Sequence, residues 1–140
     1  MKKVIVYTDG GARGNPGPAG VGVFIADAKG KMIKEVAKAI GVATNNFAEY
    51  EAVITALEAL KKLYGKKTLL MQFDFKMDSQ LVQRQLIGQY RVKDKNLQVQ
   101  FSKISKLREK SFPNISFSHV MREENNLADG LANKAMDSAE

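Results

Sequence analysis

Apolar and polar positions change rhythm along this 140-residue chain, and each change marks an element. Near the N-terminus the apolar residues form short β-branched runs. Lys3–Thr8 predicts a buried strand and Val21–Ala26 a second, with a glycine-rich segment between them. Ala28-Lys29-Gly30-Lys31 reads as a turn and Met32–Ile40 as a third strand, close enough in sequence to give antiparallel neighbours. From Asn46 the period lengthens. Tyr50, Val53, Ile54, Leu57, Leu60 and Tyr64 fall at helical spacing, and Gly65 closes that helix. Thr68–Met77 returns to a period of two. Leu69, Met71, Phe73, Phe75 and Met77 face one way, and Gln72, Asp74 and Lys76 the other. Asp78-Ser79 opens a short helix to about Leu86, and Gly88–Lys95 is an irregular basic link. Leu97, Phe101, Ile104 and Leu107 mark another helix, Ile115–Val120 a last strand and Leu127–Met136 a last helix.

The order βββαβααβα predicts one α/β domain over residues 1–140. Its five-stranded mixed sheet has the first three strands antiparallel. The last two, reached through helices, run parallel to the first. With no cysteine in the chain, disulfides and thiolate metal sites are excluded. Val4-Ile5-Val6 is too short for a signal-peptide core, and no run approaches the roughly 20 apolar residues that span a bilayer. The expectation is a cytoplasmic monomer with no membrane partner.

Charge adds a partner class. The net charge is +7. Residues 84–110 hold eight Lys/Arg against Asp94 and Glu109, whereas residues 111–140 hold two basic residues against five acidic ones. A basic region beside an acidic one suits a polyanion bound near a carboxylate cluster. A lysine-rich solvated surface has the same composition, and charge alone does not choose between them.

Four carboxylates fall at predicted element ends: Asp9 after the first strand, Glu49 in the first turn of the first long helix, Asp78 after the fourth strand and Asp129 early in the last helix. Parallel first and fourth strands would bring Asp9 and Asp78 out at one carboxyl edge, where open α/β sheets place ligands. Acids converging there would need hard divalent cations, and oxygen-only ligation selects Mg²⁺ or Mn²⁺. Two such ions about 4 Å apart suit in-line attack on a phosphodiester. Each acid also has a purely structural role open to it. Asn46 and Glu49 fit a capping box, Asp78 an N-cap, Asp129 a helix-dipole partner and Asp9 a turn. Spacing alone leaves these alternatives open.

The local sequences choose. "YTDGGARGNPGPAG", "TNNFAEYEAV", "DSQLVQRQLIGQY" and "VMREENNLADGLANKA" run in that order from Tyr7 to Ala135. Together they resemble type 1 ribonuclease H, particularly its compact prokaryotic branch. The resemblance implies the ribonuclease H-like fold and hydrolysis of the RNA strand of RNA–DNA hybrids by two metal ions, leaving 5′-phosphate and 3′-hydroxyl ends. It implies that Asp9, Glu49, Asp78 and Asp129 are the catalytic, metal-binding acids, holding two Mg²⁺ ions with Mn²⁺ as substitute. Asp9 would bridge the ions, Glu49 and Asp78 would hold the one that activates water, and Asp129 would complete the other's shell. It further implies substrate contacts from Gly11, Ala12, Arg13 and Asn15 to ribose 2′-hydroxyls, from Asn45, Asn46 and Gln80 in the minor groove, and from Thr44 to a DNA-strand phosphate. The 2′-hydroxyl is what separates RNA from DNA.

The chain departs from the family in places. There is no tryptophan and no long basic protrusion, so Arg91, Lys93 and Lys95 could grip phosphates instead. His119 lies ten residues before Asp129 but on a predicted strand, and Glu123 or Glu124 could take the place of a loop histidine. Arg122 could bind a phosphate or pair with either glutamate. Asp74 is a rival carboxylate, and Lys76 is either part of a solvent-facing patch or a pair with Asp74. Two other functions stay compatible with the sequence: a non-catalytic nucleic-acid-binding module on the same fold, and a nuclease acting mainly on double-stranded RNA.

Overall fold

A computed structural model describes residues 1–138. The strands are β1 (Lys2–Ala12), β2 (Gly17–Asp27), β3 (Met32–Ala43), β4 (Met71–Met77) and β5 (Ile115–His119), and the helices are α1 (Asn45–Tyr64), α2 (Gln80–Leu86), α3 (Lys95–Ser111) and α4 (Asn126–Ser138). All five strands enter one sheet in the order β3-β2-β1-β4-β5. The β1–β2 and β2–β3 pairs are antiparallel, and β1, β4 and β5 run parallel, as the order of elements predicts.

The packing follows from the patterning. Val4, Val6, Val23 and Ile25 on the sheet meet Tyr50, Val53, Ile54, Leu57 and Leu60 of α1, all buried in one core. Phe73 and Phe75 of β4 sit in the same core, and Phe73 meets Phe112 edge-on at 5.3 Å. The last helix, α4, packs on β2, β3 and β1. Among the described residues no helix is long and apolar enough to cross a membrane.

Some boundaries differ from the sequence expectation for a physical reason. β1 continues through Asp9, Gly10 and Gly11 to Ala12, because those residues keep pairing with Gly22, Val21 and Gly20 of a longer β2. The reversal is confined to Arg13–Pro16, which contains a cis Asn15–Pro16 bond. The stretch Gly65–Leu70 is a 3-10 turn, so Leu69, placed inward by alternation, is 44% exposed and the strand begins at Met71. Residues 122–125 form a second 3-10 turn that leads into α4.

The basic link is tied down. Asp94 caps α3 by accepting from the Asn96 and Leu97 amides. Gln85 and Gln98 donate to the carbonyls of Arg91 and Val92 at 3.4 and 2.9 Å.

Candidate active site

β1 pairs with β4 only from Lys2 to Tyr7, whereas its ladder with β2 runs on to Ala12. β4 stops at Met77, at the edge where β1 runs on past it. Asp78 emerges there beside Asp9. Where the ladder ends, Asn125 takes over. Its Nδ2 donates to the Thr8 carbonyl at 2.9 Å and lies 3.4 Å from Asp78 Oδ2.

Two glycines bring in the helices. A Cβ on Gly10 would lie 2.2 Å from the Ala48 carbonyl oxygen. Only a glycine lets α1 rest on the β1 backbone here, and the contact delivers the next residue, Glu49. Its Oε1 accepts the Gly10 N–H at 2.8 Å. Gly22, opposite Asp9 in the ladder, does the same for α4: a Cβ there would lie 2.1 Å from the Ala128 carbonyl oxygen. The residue after Ala128 is Asp129.

The three acids Asp9, Glu49 and Asp78 each offer an oxygen within 4.8 Å of the others, a spacing that could hold a metal ion. Asp129 lies outside that trio but within hydrogen-bonding reach of Asp9. It lines the same cleft of about 510 Å³, together with Asn133 and Arg122. Crowding and burial act on the carboxyls. Burial foremost, then the charges of Asp78 and Asp129, pushes Asp9 up to about 7, while its hydrogen bond with Glu49 works the other way. Burial also raises Glu49 well above the usual carboxylate range, and Asp9 adds to it against the opposing Gly10 N–H. An all-oxygen set held ready at this cost in desolvation fits a hard divalent cation, whose charge reverses the penalty.

The structural roles open to these acids in the sequence are taken by other residues. Thr44, not Asn46, caps α1 by accepting the Phe47 N–H at 3.1 Å, which leaves Glu49 free to turn toward Gly10. Ser79, not Asp78, caps α2. Asp74 is removed as a rival. Lys3 holds it at 2.9 Å, and Gln72 and Ser116 donate to it. Although burial works against it, these bonds, with that of Lys3 foremost, keep its carboxyl below its ordinary range. Its partner is therefore Lys3 rather than Lys76.

The expected substrate-contacting residues divide between two clefts. Gly11, Ala12 and Arg13 line the acid cleft, Asn15 and Thr44 line a neighbouring one of about 640 Å³, and Asn45 and Asn46 line both. Asn45 accepts the Ala12 N–H at 2.9 Å, and Asn15 accepts the Asn45 N–H at 3.0 Å. The reversal after β1 is thus bolted to the start of α1, and the two asparagine NH₂ groups are left without partners among the described residues. Arg13 pairs with Asp137 of α4. Gln80 is exposed and lines neither cleft.

His119 is exposed at the end of β5 and lines neither cleft either. Glu124 accepts the Met121 N–H at 3.1 Å, closing its own turn. Arg122, rather than pairing with a glutamate, reaches Asp129 at 3.9 Å.

Asn125 was not singled out in the sequence, although it stands one helical turn before Asp129 in the last motif. It is fully buried, and its Oδ1 has no partner among the described residues. Asn125→Ala would strip the Thr8 carbonyl of its donor and leave Asp78 unsupported. The expected cost is about 1–3 kcal/mol in urea unfolding. A variant as stable as the parent would show that Asn125 holds nothing in place.

Comparison with known proteins agrees with this geometry. Residues 7–135 match the family model described as reverse transcriptase-like. A ribonuclease HI of Halobacterium salinarum is 41% identical over 98% of this chain and 66% of its own length. This chain thus spans just under two-thirds of that relative, and 36% of the bifunctional protein Rv2228c of Mycobacterium tuberculosis, which is 40% identical. The solved structure of LC11-RNase H1, isolated from compost by a metagenomic approach, superposes with a TM-score of 0.94 at 50% identity and covers 99% of both chains. A second structure of that protein, in complex with an RNA/DNA hybrid, superposes equally well at 49% identity, covering 97% of this chain and 98% of its own. By its motifs, its sheet order and these matches, the chain belongs to the type 1 ribonuclease H family.

Proposed function

We propose that this protein hydrolyses the RNA strand of RNA–DNA hybrids with two divalent ions held by Asp9, Glu49, Asp78 and Asp129, leaving 5′-phosphate and 3′-hydroxyl ends. The observation that carries the reading is the convergence of Asp9, Glu49 and Asp78 on one point, with oxygens within 4.8 Å of one another and Asp129 beside them. The hybrid complex of LC11-RNase H1 supports the substrate. Mg²⁺ is the expected ion and Mn²⁺ its substitute. When bound, such ions supply a nucleophilic water at neutral pH and stabilise charge on the leaving oxygen.

The chain's own residues set the stage. Asp9 stands centrally and would be shared by both ions. The Gly10 N–H fixes the Glu49 carboxylate, and Asn125 does the same for Asp78, so neither needs to reorganise on loading. Asp129, on a separate helix, would complete the other ion's shell of oxygens. Gly11–Arg13, Asn15, Asn45 and Asn46 line the two clefts, and their backbone and NH₂ groups would sense 2′-hydroxyls and minor-groove edges. Thr44 would meet a DNA-strand phosphate, and Arg91, Lys93 and Lys95, all exposed, would add electrostatic grip. The reading takes the protein as a cytoplasmic monomer.

End-labelled RNA–DNA hybrid, double-stranded RNA and double-stranded DNA, each incubated with Mg²⁺, Mn²⁺ or chelator, test it. Cutting of the hybrid alone, only with metal, is the expected result, and the downstream fragments should be ligatable through their 5′-phosphates. A hybrid that is retarded in a gel yet intact with either metal would make the protein a binding module instead.

A further inference from the structure

The basic link between α2 and α3 is held from several sides. Gln98 of α3 donates to the Val92 and Lys93 carbonyls at 2.9 and 3.5 Å. Arg84 of α2 donates to the Tyr90 hydroxyl and lies 5.3 Å over its ring. A further tie runs inward. Gln85 Nε2 reaches the Arg91 carbonyl at 3.4 Å, and Gln85 Oε1 accepts the Tyr50 hydroxyl. Both side chains are buried, Tyr50 completely. The polarity of this chain of bonds is fixed. A carbonyl only accepts, so the amide must turn its NH₂ to Arg91 and its oxygen to Tyr50. Burial pushes the Tyr50 hydroxyl above its ordinary range, so it keeps the proton it donates.

Tyr50 directly follows Glu49 in α1. Successive helix residues point about 100° apart, so Glu49 meets Gly10 while Tyr50 meets Gln85. Gln85 stands on α2, which begins at Gln80, just after Asp78. One buried amide thus joins the helix of one acid, the helix that follows another, and the link bearing the exposed Arg91 and Lys93. We infer that Tyr50 and Gln85 are positioning residues, which hold the link at a set distance from the acids before a substrate arrives. The inference rests on the proposed grip of Arg91 and Lys93 on phosphates. Phosphate contacts fix a protein's register on a duplex, and a link already in place need not be ordered when the duplex binds. The contact exists in ground and transition states alike, so its loss belongs in KM rather than kcat.

Tyr50→Phe deletes the hydroxyl alone, and Gln85→Met removes the amide at similar length. In the free protein the Gln89 and Tyr90 amides, which donate to the Arg84 carbonyl at 2.9 and 3.2 Å, report on the link. Their hydrogen exchange should quicken by about tenfold in either variant, the worth of one hydrogen bond, while amides of β2 report any loss of global stability. Hybrid binding in chelator, and KM with metal, should weaken by about tenfold, with kcat kept within about twofold. On an Arg91→Ala/Lys93→Ala background Tyr50→Phe should add less than about twofold, because a link without its cations has no grip left to place. Link amides that quicken no more than those of β2, a fall in kcat with KM unchanged, or full additivity on that background would each overturn the inference. A parent that binds hybrid without cutting it would remove the hydrolytic reading alone, and exchange and binding would still decide this one. A parent that binds no hybrid would sink both.

Discussion

Asp9→Asn is expected to lower hybrid cleavage by at least ~10³-fold, because it removes the one carboxylate that every other acid of the site faces. The same substitution should stabilise the metal-free protein, which separates a catalytic acid from a structural one. Asp9 is 9% exposed, and its carboxyl is pushed from 3.8 to about 7. Between those two values the folded protein keeps a proton that the unfolded chain has lost. Folding stability therefore falls as pH rises from about 4 to about 7 and stays depressed above it. Asn carries no such penalty. Thermal unfolding in chelator at pH 8 should place the variant above the parent, and the gap should close at pH 4. Saturating Mg²⁺ should raise the parent's unfolding temperature and leave the variant nearly unmoved, since a ligand stabilises only the state that binds it. A variant that loses activity and also stability in chelator would mean that Asp9 is held by the fold rather than held against it.

Gly22→Ala carries the largest expected effect on the fold. Its new Cβ would stand 2.1 Å from the Ala128 carbonyl oxygen and 2.6 Å from the Ala132 nitrogen. Both are helix backbone atoms, so α4 itself must lift from β2. Overpacking of this kind costs about 3 kcal/mol or more. Because α4 carries Asp129, a surviving fraction of folded variant should also show a weakened Mg²⁺-induced shift in unfolding temperature. Gly130→Ala is the matched control. It lies in the same helix, is exposed, and has nothing within 4 Å of the new Cβ. It should stabilise by up to about 1 kcal/mol through helix propensity. Urea unfolding of the pair decides the matter, and equal stability of the two variants would contradict the close packing of α4 on Gly22.

Much of the site was legible in the sequence because its motifs are local. Asp9, Glu49, Asp78 and Asp129 each sit in a short run whose neighbours identify them, and the structure brings all four to one edge. The capping roles stayed open because caps depend on where a helix turns in space. Thr44 and Asn46, and likewise Asp78 and Ser79, are both chemically able to cap. The structure settles on Thr44 and Ser79, so that Glu49 and Asp78 point into the cleft. Asn125 escaped notice since its partner, the Thr8 carbonyl, lies 117 positions away, and a backbone acceptor leaves no mark in sequence.

The sequence by itself determined the periodicities, hence the order of elements and the direction of each strand, since short connections and helical crossovers admit few topologies. It also determined which residues can carry charge to the site. Only the tertiary structure decided which of two neighbouring polar groups would cap and which would serve the cleft. It also decided that Gly10 and Gly22 are needed for helix contact, one on each side of Asp9. Convergence of this kind depends on backbone approaching backbone to within a missing methyl group, a distance that no pattern of side chains along the chain encodes.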